Sequence, residues 1–459
     1  MNDAQQKSLG EDSWTARRGE APTAEQRETV SLIAKCASER PTGTMMLMEA
    51  VCEKENLTKA LKRVQTKDGS PGVDGMTVGE LTGHLKANWL TIKGKLLSGT
   101  HKPSPVKRVE IPKRDGGIRK LGIPTVVDRF IQQAILQVLQ GMYDQTFSEH
   151  SYGFRPQRSA HQAVLQAQKH ISEGYTTVVD IDLEKFFDKV NHDRLMSTLA
   201  KRIGDKRLLK IIRAYLNAGV MEDGLVRFTE EGTPQGGNLS PLLSNIVLDE
   251  LDKELERRGH RFVRYADDCN IYVKSARAGE RVMKSITRFI TDKLKLKVNQ
   301  GKSAVDKPSM RKFLGYSFTN EAKPRIRISP KSLQRFKERI REITNRNRGM
   351  SLIRMVRELI EYVRGWMGYY RLCQTPSILT SLDSWIRRRI RCFIWKQWKT
   401  FANRAKELIK RGVWEKTAYT VACTSGLWAI SGGRCLQTAL PNLHLISMGV
   451  LPLASFARV

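Results

Sequence analysis

The sequence lacks the cysteine patterns of a zinc site or a disulfide framework. Its seven cysteines include no CxxC pair and no cluster with histidine, which fits a reducing cytosol. It also lacks any apolar run of the ~18 residues needed to cross a membrane. Its first residues contain no apolar core of the kind found in a signal peptide. We therefore expect a cytoplasmic protein that does not enter a membrane.

Acidic residues are also scarce for a chain of 459 residues. There are 79 Lys and Arg against 47 Asp and Glu, so the formal net charge at pH 7 is +32. An excess of this size indicates a polyanionic partner, in the first place nucleic acid. The length suffices for about three domains of 100–200 residues each. The composition therefore predicts a multidomain protein that binds nucleic acid.

Against this basic background, two adjacent carboxylates lie within one apolar segment. Residues 262–273 read FVRYADDCNIYV, in which β-branched and aromatic residues flank Asp267 and Asp268. The pattern is typical of two strands joined by a tight turn. Carboxylates this close raise each other's pKa unless a cation lies near them. A divalent metal is the natural compensation, and a complete metal site needs at least one more carboxylate.

A second acidic segment lies upstream, at residues 176–188. Asp180 and Asp182 alternate with apolar residues, so both lie on one face of a predicted strand. One of these aspartates can meet the 262–273 turn across a sheet. Either segment alone would usually be a solvated turn. The two together favour a metal site built from both.

These segments resemble motifs of reverse transcriptases. Residues 265–268, YADD, are similar to the hairpin of the polymerase palm, and residues 182–188, DLEKFFD, are similar to the catalytic strand before it. Within that superfamily the chain most resembles the reverse transcriptase and maturase proteins of bacterial group II introns, in the group IIC-like class without an endonuclease domain. The resemblance covers roughly residues 50 to 440, with the motifs in the family's order.

The resemblance implies an α+β protein with the right-hand polymerase fold, whose fingers and palm carry an antiparallel sheet. Residues 325–411 hold 23 Lys and Arg but only 6 Asp and Glu, which fits a helical, basic thumb. No His-rich and Cys-rich tail follows, so we expect no HNH-type endonuclease. The implied domains are a flexible N-terminal arm (1–43), an N-terminal extension with a template-closing loop (44–100), fingers and palm (101–325), the thumb or maturase domain (326–401) and a C-terminal DNA-binding segment (402–459).

Apolar spacing predicts several elements on which this organisation depends. A cationic hairpin is predicted over 106–124, with its turn at Asp115-Gly116-Gly117, and a helix over 126–143. Long thumb helices are predicted at residues 333–343, 352–370 and 384–398. In the last of these, cations lie opposite an apolar stripe, and we expect them to contact nucleic acid: Arg387, Arg388 and Arg391.

Family spacing also assigns the catalytic residues. In the family, an aromatic residue five positions after the metal-binding aspartate packs under the ribose of the incoming nucleotide. Counting back five positions from Phe187 selects Asp182 and not Asp180. The resemblance implies two bound Mg²⁺ ions, for which Mn²⁺ can substitute. Their implied ligands are Asp182, Asp267, Asp268 and the backbone carbonyl of Ile181 or Leu183.

The resemblance assigns further residues to the nucleotide and to the nucleic acid. The implied nucleotide contacts come from the fingers hairpin, the catalytic strand, the Gly-rich loop 232–241 and the segment after residue 298: Lys113, Arg119, Phe187, Gln235 and Lys302. The implied template or RNA contacts come from the loop 67–75, the segment 151–161 and the third thumb helix: Gly69, Gly72, Arg155, Arg158, Arg387, Arg388 and Arg391.

These assignments imply an RNA-directed DNA polymerase that copies intron RNA into cDNA, and a maturase that binds the intron RNA to assist splicing and mobility. The implied partners are an RNA template, the group II intron RNA, primer and target DNA, and deoxynucleoside triphosphates, with the protein at the nucleoid during mobility. Two alternatives are a retron or defence reverse transcriptase and an RNA-binding splicing factor with a relict polymerase fold. The three retained carboxylates argue against the relict, and the long basic region after the palm argues against the retron.

Overall fold

The computed structural model describes residues 44–112, 116–222, 225–227, 232 and 236–456. The elements up to residue 227 are α1 (Leu47–Val51), α2 (Lys54–Lys67), α3 (Leu81–Leu97), β1 (Val106–Pro112), β2 (Ile118–Ile123), α4 (Val126–Tyr143), α5 (Ala160–Ser172), β3 (Thr177–Ile181), α6 (Phe186–Lys189), α7 (His192–Ala200), α8 (Lys206–Asn217), β4 (Val220–Glu222) and β5 (Leu225–Arg227). The later elements are α9 (Ser240–Arg257), β6 (Arg261–Tyr265), β7 (Asp268–Val273), α10 (Ala276–Asp292), β8 (Ala304–Asp306), β9 (Tyr316–Phe318), β10 (Ile326–Ile328), α11 (Pro330–Ile343), α12 (Leu352–Tyr370), α13 (Pro376–Gln397), α14 (Phe401–Lys410), α15 (Glu415–Ala422), α16 (Leu427–Gly432), α17 (Arg434–Ala439) and α18 (Asn442–Ser447).

These elements belong to two compact units, each made of two separate stretches of chain. The first unit contains the chain up to Thr146 together with Lys185–Val247, and the second contains Phe147–Glu184 together with the chain from Leu248 onward. The five consecutive domains expected from the sequence stay a prediction. The expected N-terminal arm, residues 1–43, lies outside the described residues.

The first unit combines helices with a four-stranded sheet of order β2-β1-β4-β5. Strands β1 and β2 form an antiparallel hairpin in which Pro112 pairs with Ile118. Its turn includes Gly116 and Gly117, whose positive φ angles of 86° and 82° suit glycine. Thr125 caps α4 by accepting a hydrogen bond from the Asp128 amide. The predicted hairpin over 106–124 and the predicted helix over 126–143 are both confirmed.

The second unit is built around an antiparallel sheet of order β6-β7-β3-β8. Helix α10 packs on β3, β7 and β8 through its buried face, which includes Val282, Ile286 and Ile290. Gly279 allows this close packing, since a Cβ atom there would lie 2.5 Å from Val305 Cγ1. Helix α5 packs against β6. The sheet is therefore a rigid support for residues at its strand ends.

Long helices follow in the same unit and share one hydrophobic core with α14–α18. Phe336 of α11 stacks on Trp366 of α12, with ring centroids 4.0 Å apart. The predicted helices over 333–343 and 352–370 are confirmed. The third begins at Pro376 and not at the predicted residue 384, because its first turns already bury Leu379 and Leu382. Among the described residues, no helix has the length and apolar character needed to span a membrane.

Candidate active site

The two adjacent aspartates lie at the turn between β6 and β7, as the sequence predicts. Tyr265 pairs with Asp268, which leaves Ala266 and Asp267 as a two-residue turn. Ala266 has a φ of 57°, in the left-handed region where tight hairpin turns place a residue. Asp267 therefore lies at the tip of the turn, and Asp268 is the first residue of β7. Adjacent side chains of a regular strand point to opposite faces of the sheet, but Asp267 and Asp268 are not bound by this rule because Asp267 lies in the turn.

Asp182 is held beside this turn by its own backbone. Strand β3 pairs with β7 up to Ile181, which is opposite Cys269. The Asp182 amide then donates to Ser303 Oγ at 3.0 Å, and its carbonyl accepts from the Asn299 amide at 2.8 Å. Its side chain keeps about a quarter of its surface exposed, 28%. The main chain of Asp182 is thus fixed at the end of the central strand, and its carboxylate remains accessible.

Asp180 has a different partner. Arg311 donates to Asp180 Oδ2 from Nη2 at 2.6 Å and from Nε at 3.0 Å. The same Arg311 Nη2 donates to the Lys302 carbonyl at 2.6 Å. The ammonium group of Lys302 lies 3.7 Å from Asp182 Oδ2. Asp180 is therefore engaged in an ion pair that fixes the Lys302 backbone, while the Lys302 side chain reaches the other aspartate.

Loss of hydration and the mutual repulsion of these negatively charged carboxylates raise the pKa of Asp268. Although Asp268 reaches the surface, loss of hydration among the surrounding protein atoms raises its pKa to about 6, with further increases from Asp267, Asp180 and Asp182. Burial also raises the pKa of Asp180, against the opposing effect of Arg311. A cation at this cluster would relieve the repulsion.

The donor set fits a hard divalent cation, which prefers carboxylate and carbonyl oxygens. Leu183 pairs with Val298 in an isolated β-bridge. The two hydrogen bonds of this bridge are made by the Asp182 carbonyl and the Glu184 amide. The Leu183 carbonyl takes no part in these two bonds. Within the described ranges, no group of three or more His, Cys, Asp or Glu side chains is already positioned to hold a metal ion.

The raised pKa of Asp268 leads to a prediction on stability. Because this pKa, about 6, lies above the ordinary 3.8, the folded protein holds the proton more tightly than the unfolded chain. The contribution of this group to the free energy of unfolding therefore decreases as pH rises from about 4 to about 6. We expect Asp268→Asn to raise the melting temperature in EDTA, and by more at pH 7 than at pH 5.

Thermal unfolding of the wild type and Asp268→Asn at both pH values measures this effect. Asp292→Asn, at the exposed end of α10, serves as the control for loss of one surface carboxylate. Equal effects of Asp268→Asn at pH 5 and pH 7 would contradict the raised pKa.

The implied nucleotide contacts other than Lys302 belong to the first unit or lie outside the described residues. Lys113 and Gln235 lie outside them, and Arg119 is in β2 opposite Ile111. Phe187 is half-buried in α6, with its ring centroid 5.3 Å from that of Phe186. Their roles at the nucleotide stay predictions.

Arg155 and Arg158 bind backbone of their own segment. Arg155 Nη1 donates to the carbonyls of Ser148 at 2.5 Å and Ser151 at 3.0 Å. Arg158 Nη1 donates to the Glu149 carbonyl at 3.3 Å. Both side chains are half-buried. These contacts organise the segment, and any contact with nucleic acid stays a prediction.

Gly72 is needed for close packing against backbone within the first unit, whereas Gly69 lies against the end of a flexible side chain. A Cβ atom on Gly72 would lie 2.6 Å from Thr125 Cα, and one on Gly69 would lie 2.4 Å from Arg129 Nη1. Arg129 also donates to the Ser70 carbonyl at 2.7 Å. The loop thus lies on the start of α4. Its predicted approach to the template is not tested by this packing.

The structure corrects the placement of Arg391 on the predicted cationic face of α13. Arg391 is only 6% exposed and donates to the Leu440 carbonyl and to Asn442 Oδ1, both at 2.9 Å. The C-terminal helices cover this side of α13, which an analysis of the single helix could not anticipate. Arg388 is also engaged, with its guanidinium 4.1 Å from the centre of the Trp428 ring. Arg387 remains half-exposed.

Sequence reasoning missed the residues that support the aspartates, namely Ser303, Arg311, Asp252 and Arg264. The contacts of Ser303 and Arg311 join residues more than 120 positions apart, for which the chain carries no periodic signal. Arg264 did carry a signal, since it is the one cation within the apolar segment 262–266. A buried charge of this kind requires a partner.

A partly exposed aspartate at the end of a central strand, beside a turn with two more, is the arrangement expected of a polymerase palm. Residues 111–318 match the family model described as reverse transcriptase (RNA-dependent DNA polymerase). Residues 333–412 match the model described as group II intron, maturase-specific domain. The chain therefore belongs to the group II intron family of reverse transcriptases and maturases, whose enzymatic class is RNA-directed DNA polymerase.

The chain is similar to several known proteins of different lengths. Protein YkfC of Escherichia coli is 32% identical over 299 residues, which cover 56% of this chain and 78% of that protein. Group II intron-encoded protein LtrA of Lactococcus lactis is 30% identical over 306 residues, covering 52% of this chain and 51% of LtrA. A putative COX1/OXI3 intron 2 protein of Saccharomyces cerevisiae is 33% identical over 200 residues, which are 42% of this chain and 23% of that protein. The chain thus spans about half the length of LtrA.

A solved structure, a partial Cas6-RT-Cas1–Cas2 complex, shares 26% identity and covers 53% of this chain and 42% of its own. The TM-score of this comparison is 0.35. The family implies dependence on a divalent metal and partners that include RNA and DNA.

Proposed function

We propose that this protein copies group II intron RNA into cDNA and binds the same RNA to assist its splicing and mobility. The observation that carries the polymerase part is the set of Asp182, Asp267 and Asp268 at one end of the second unit's sheet. A relict fold has no reason to retain carboxylates that repel one another. The maturase-specific match over residues 333–412 favours the intron protein over a retron enzyme.

The metal ligands in this proposal are Asp182 and Asp267, with the Leu183 or Ile181 carbonyl beside them and Asp268 as electrostatic support. They would hold two Mg²⁺ ions, or Mn²⁺ in their place. The chemistry supplied by the bound ions is activation of the primer 3′-hydroxyl and neutralisation of charge on the deoxynucleoside triphosphate.

The protein itself contributes position and charge. The hydrogen bonds of the Asp182 amide and carbonyl fix the main chain that carries one carboxylate, and the two-residue turn positions the main chain of the other two. Lys302, whose ammonium lies 3.7 Å from Asp182, is available to move to the triphosphate once the carboxylates are neutralised. No covalent intermediate with the enzyme is required, so alignment of the primer and the nucleotide accounts for most of the rate enhancement.

Primer extension with RNA and DNA templates of the same sequence tests the polymerase proposal. We expect the wild type to extend a DNA primer on the RNA template with Mg²⁺ and four deoxynucleoside triphosphates, and to stop when EDTA is added. Extension on the DNA template but not on the RNA template would contradict the proposal that the protein copies intron RNA.

A second RNA-binding surface is proposed on the exposed face of α10. Arg277, Arg281, Lys284 and Arg288 follow one another at spacings of four, three and four residues, which places them on one side of the helix. All four are exposed, and within the described part of the chain none of them pairs with a carboxylate. They span about 16 Å. The opposite face of α10 is anchored on the sheet, so this row is held as a rigid unit.

Unpaired cations in a row fit the phosphates of a structured RNA. Elsewhere, exposed cations such as Lys59, Arg257 and Arg325 pair with a neighbouring glutamate. We expect replacement of the four α10 cations by Gln to reduce the salt dependence of binding to a group II intron transcript by about 3 in the slope of log K against log salt. Extension of a short primer–template stays unchanged, because the row lies on the side of α10 away from the sheet.

A control variant of equal net charge replaces Lys59, Lys120, Arg257 and Arg325 by Gln, since each of these is paired with a carboxylate. We expect its salt dependence to remain close to that of the wild type. Equal losses in both variants would mean that net charge alone governs RNA binding.

We further propose that the protein belongs to the group IIC-like class and acts in the bacterial cytoplasm. Splicing of an intron transcript at low Mg²⁺, with and without the protein, tests the maturase part separately from DNA synthesis. An Asp267→Ala variant that still promotes splicing would separate the two activities.

A further inference from the structure

A fully buried arginine supports the turn that carries Asp267. Arg264 and its partner Asp252 of α9 both have no exposed side-chain surface. Arg264 donates from Nε to Asp252 Oδ1 at 2.7 Å and from Nη2 to Asp252 Oδ2 at 2.5 Å. Its third nitrogen, Nη1, donates to the Ala266 carbonyl at 2.8 Å. The planar guanidinium therefore joins a helix to the turn in a fixed geometry.

The segment before α5 completes this arrangement. Arg264 Nη2 also donates to Ser151 Oγ at 2.8 Å. The backbones pair as well, since the Arg264 amide donates to the His150 carbonyl and the Tyr152 amide donates to the Arg264 carbonyl, both at 2.9 Å. Gly153 then lies directly against the turn, because a Cβ atom there would lie 2.3 Å from the Ala266 nitrogen.

We propose that Arg264, held by Asp252, is a positioning residue that sets the place of Asp267 at the catalytic turn. A buried ion pair is a weak source of stability, because an apolar pair of similar volume often serves as well. Its use here is directional, since an apolar side chain cannot donate to the Ala266 carbonyl. The segment 148–153 packs against the same turn from behind, which gives Ser151, Tyr152 and Gly153 a structural role that needs no contact with nucleic acid.

The ion pair of Arg264 and Asp252 can hold the turn that carries Asp267 in position to within a fraction of an ångström. A displacement of about 1 Å of a catalytic group lowers a rate by about 10²-fold. Loss of the Ala266 contact frees the turn to relax by such an amount, while the β6–β7 strand pairing keeps the hairpin intact. Turnover and metal affinity should therefore decrease together, and substrate affinity should change little.

The test uses two variants of the full chain. Arg264→Met/Asp252→Leu replaces the ion pair by apolar side chains of similar size, and Arg264→Lys keeps the charge but loses the fork of donors. We expect both to lower kcat by about 10²-fold with KM for the nucleotide nearly unchanged. We also expect weaker binding of Mn²⁺ to the protein without nucleic acid, measured by electron paramagnetic resonance. Arg325→Met/Glu321→Leu, an ion pair of the second unit in which both side chains are exposed, is the matched control with wild-type values.

The kinetic readout rests on the proposed polymerase function, whereas Mn²⁺ binding does not require DNA synthesis. A wild type that binds Mn²⁺ and makes no cDNA would therefore count against the proposed function alone. A double variant that melts like the wild type and has wild-type kcat and Mn²⁺ binding would overturn the positioning role. If the double variant does not fold, the Arg264→Lys variant decides by the same two measurements.

Discussion

Asp267→Ala is expected to lower the rate of DNA synthesis by about 10³-fold or more, because it removes the carboxylate that we propose as a metal ligand at the tip of the β6–β7 turn. The strand pairing and the Arg264 contact that hold this turn do not involve the Asp267 side chain. The variant should therefore fold and bind RNA as the wild type does. We therefore expect the lower rate of DNA synthesis to come from a slower chemical step and not from weaker binding of RNA.

Incorporation of one deoxynucleotide in a single turnover measures this step, with RNA affinity measured in parallel. Asp292→Ala provides the control, since it removes an exposed carboxylate at the end of α10. A rate for Asp267→Ala within about tenfold of the wild type would mean that this aspartate does not hold a catalytic metal.

Asp182 and Asp180 should respond very differently to the same substitution. Asp182→Ala is expected to abolish synthesis, whereas Asp180→Ala lowers it only about tenfold. The difference follows from their partners. Asp180 is bound by Arg311, which in turn holds the Lys302 backbone, while Asp182 has its carboxylate beside the turn. Loss of Asp180 should thus disturb the Lys302 segment and leave the proposed metal ligands in place.

A double-mutant cycle identifies the cause of the smaller effect. Because Asp180 and Arg311 act as one ion pair, Arg311→Ala should lower the rate as much as Asp180→Ala, and the double variant should be no worse than either. Additive losses would show that the two residues act separately. A reversed order, with Asp180→Ala inactive and Asp182→Ala active, would mean that Asp180 is the metal ligand.

Local patterns predicted the parts of the site that a single segment determines. The alternation around residues 262–273 predicted the hairpin, and the tight turn lies at Ala266 and Asp267. The apolar strand before Asp182 was equally clear, and β3 does lie beside β7. Composition could not choose between Asp180 and Asp182. That choice came from the family spacing to Phe187, and the pairing of Asp180 with Arg311 supports it.

The remainder depends on contacts between distant parts of the chain. The ion pair of Asp180 with Arg311 joins positions 131 residues apart, and no local pattern encodes it. Arg391 shows the opposite failure, because its helix predicts an exposed cation and the C-terminal helices bury it. The sequence pattern of a helix shows which residues share a face. Which part of the chain packs against that face depends on the whole fold.

The most direct test of the catalytic centre is synthesis of full-length cDNA on an RNA template by the wild type and by Asp182→Ala/Asp267→Ala. Both proteins are first shown to bind the same primer–template with equal affinity. We predict full-length cDNA from the wild type and none from the double variant. Full-length product from the double variant, or none from the wild type at any Mg²⁺ concentration, would contradict the assignment of these carboxylates.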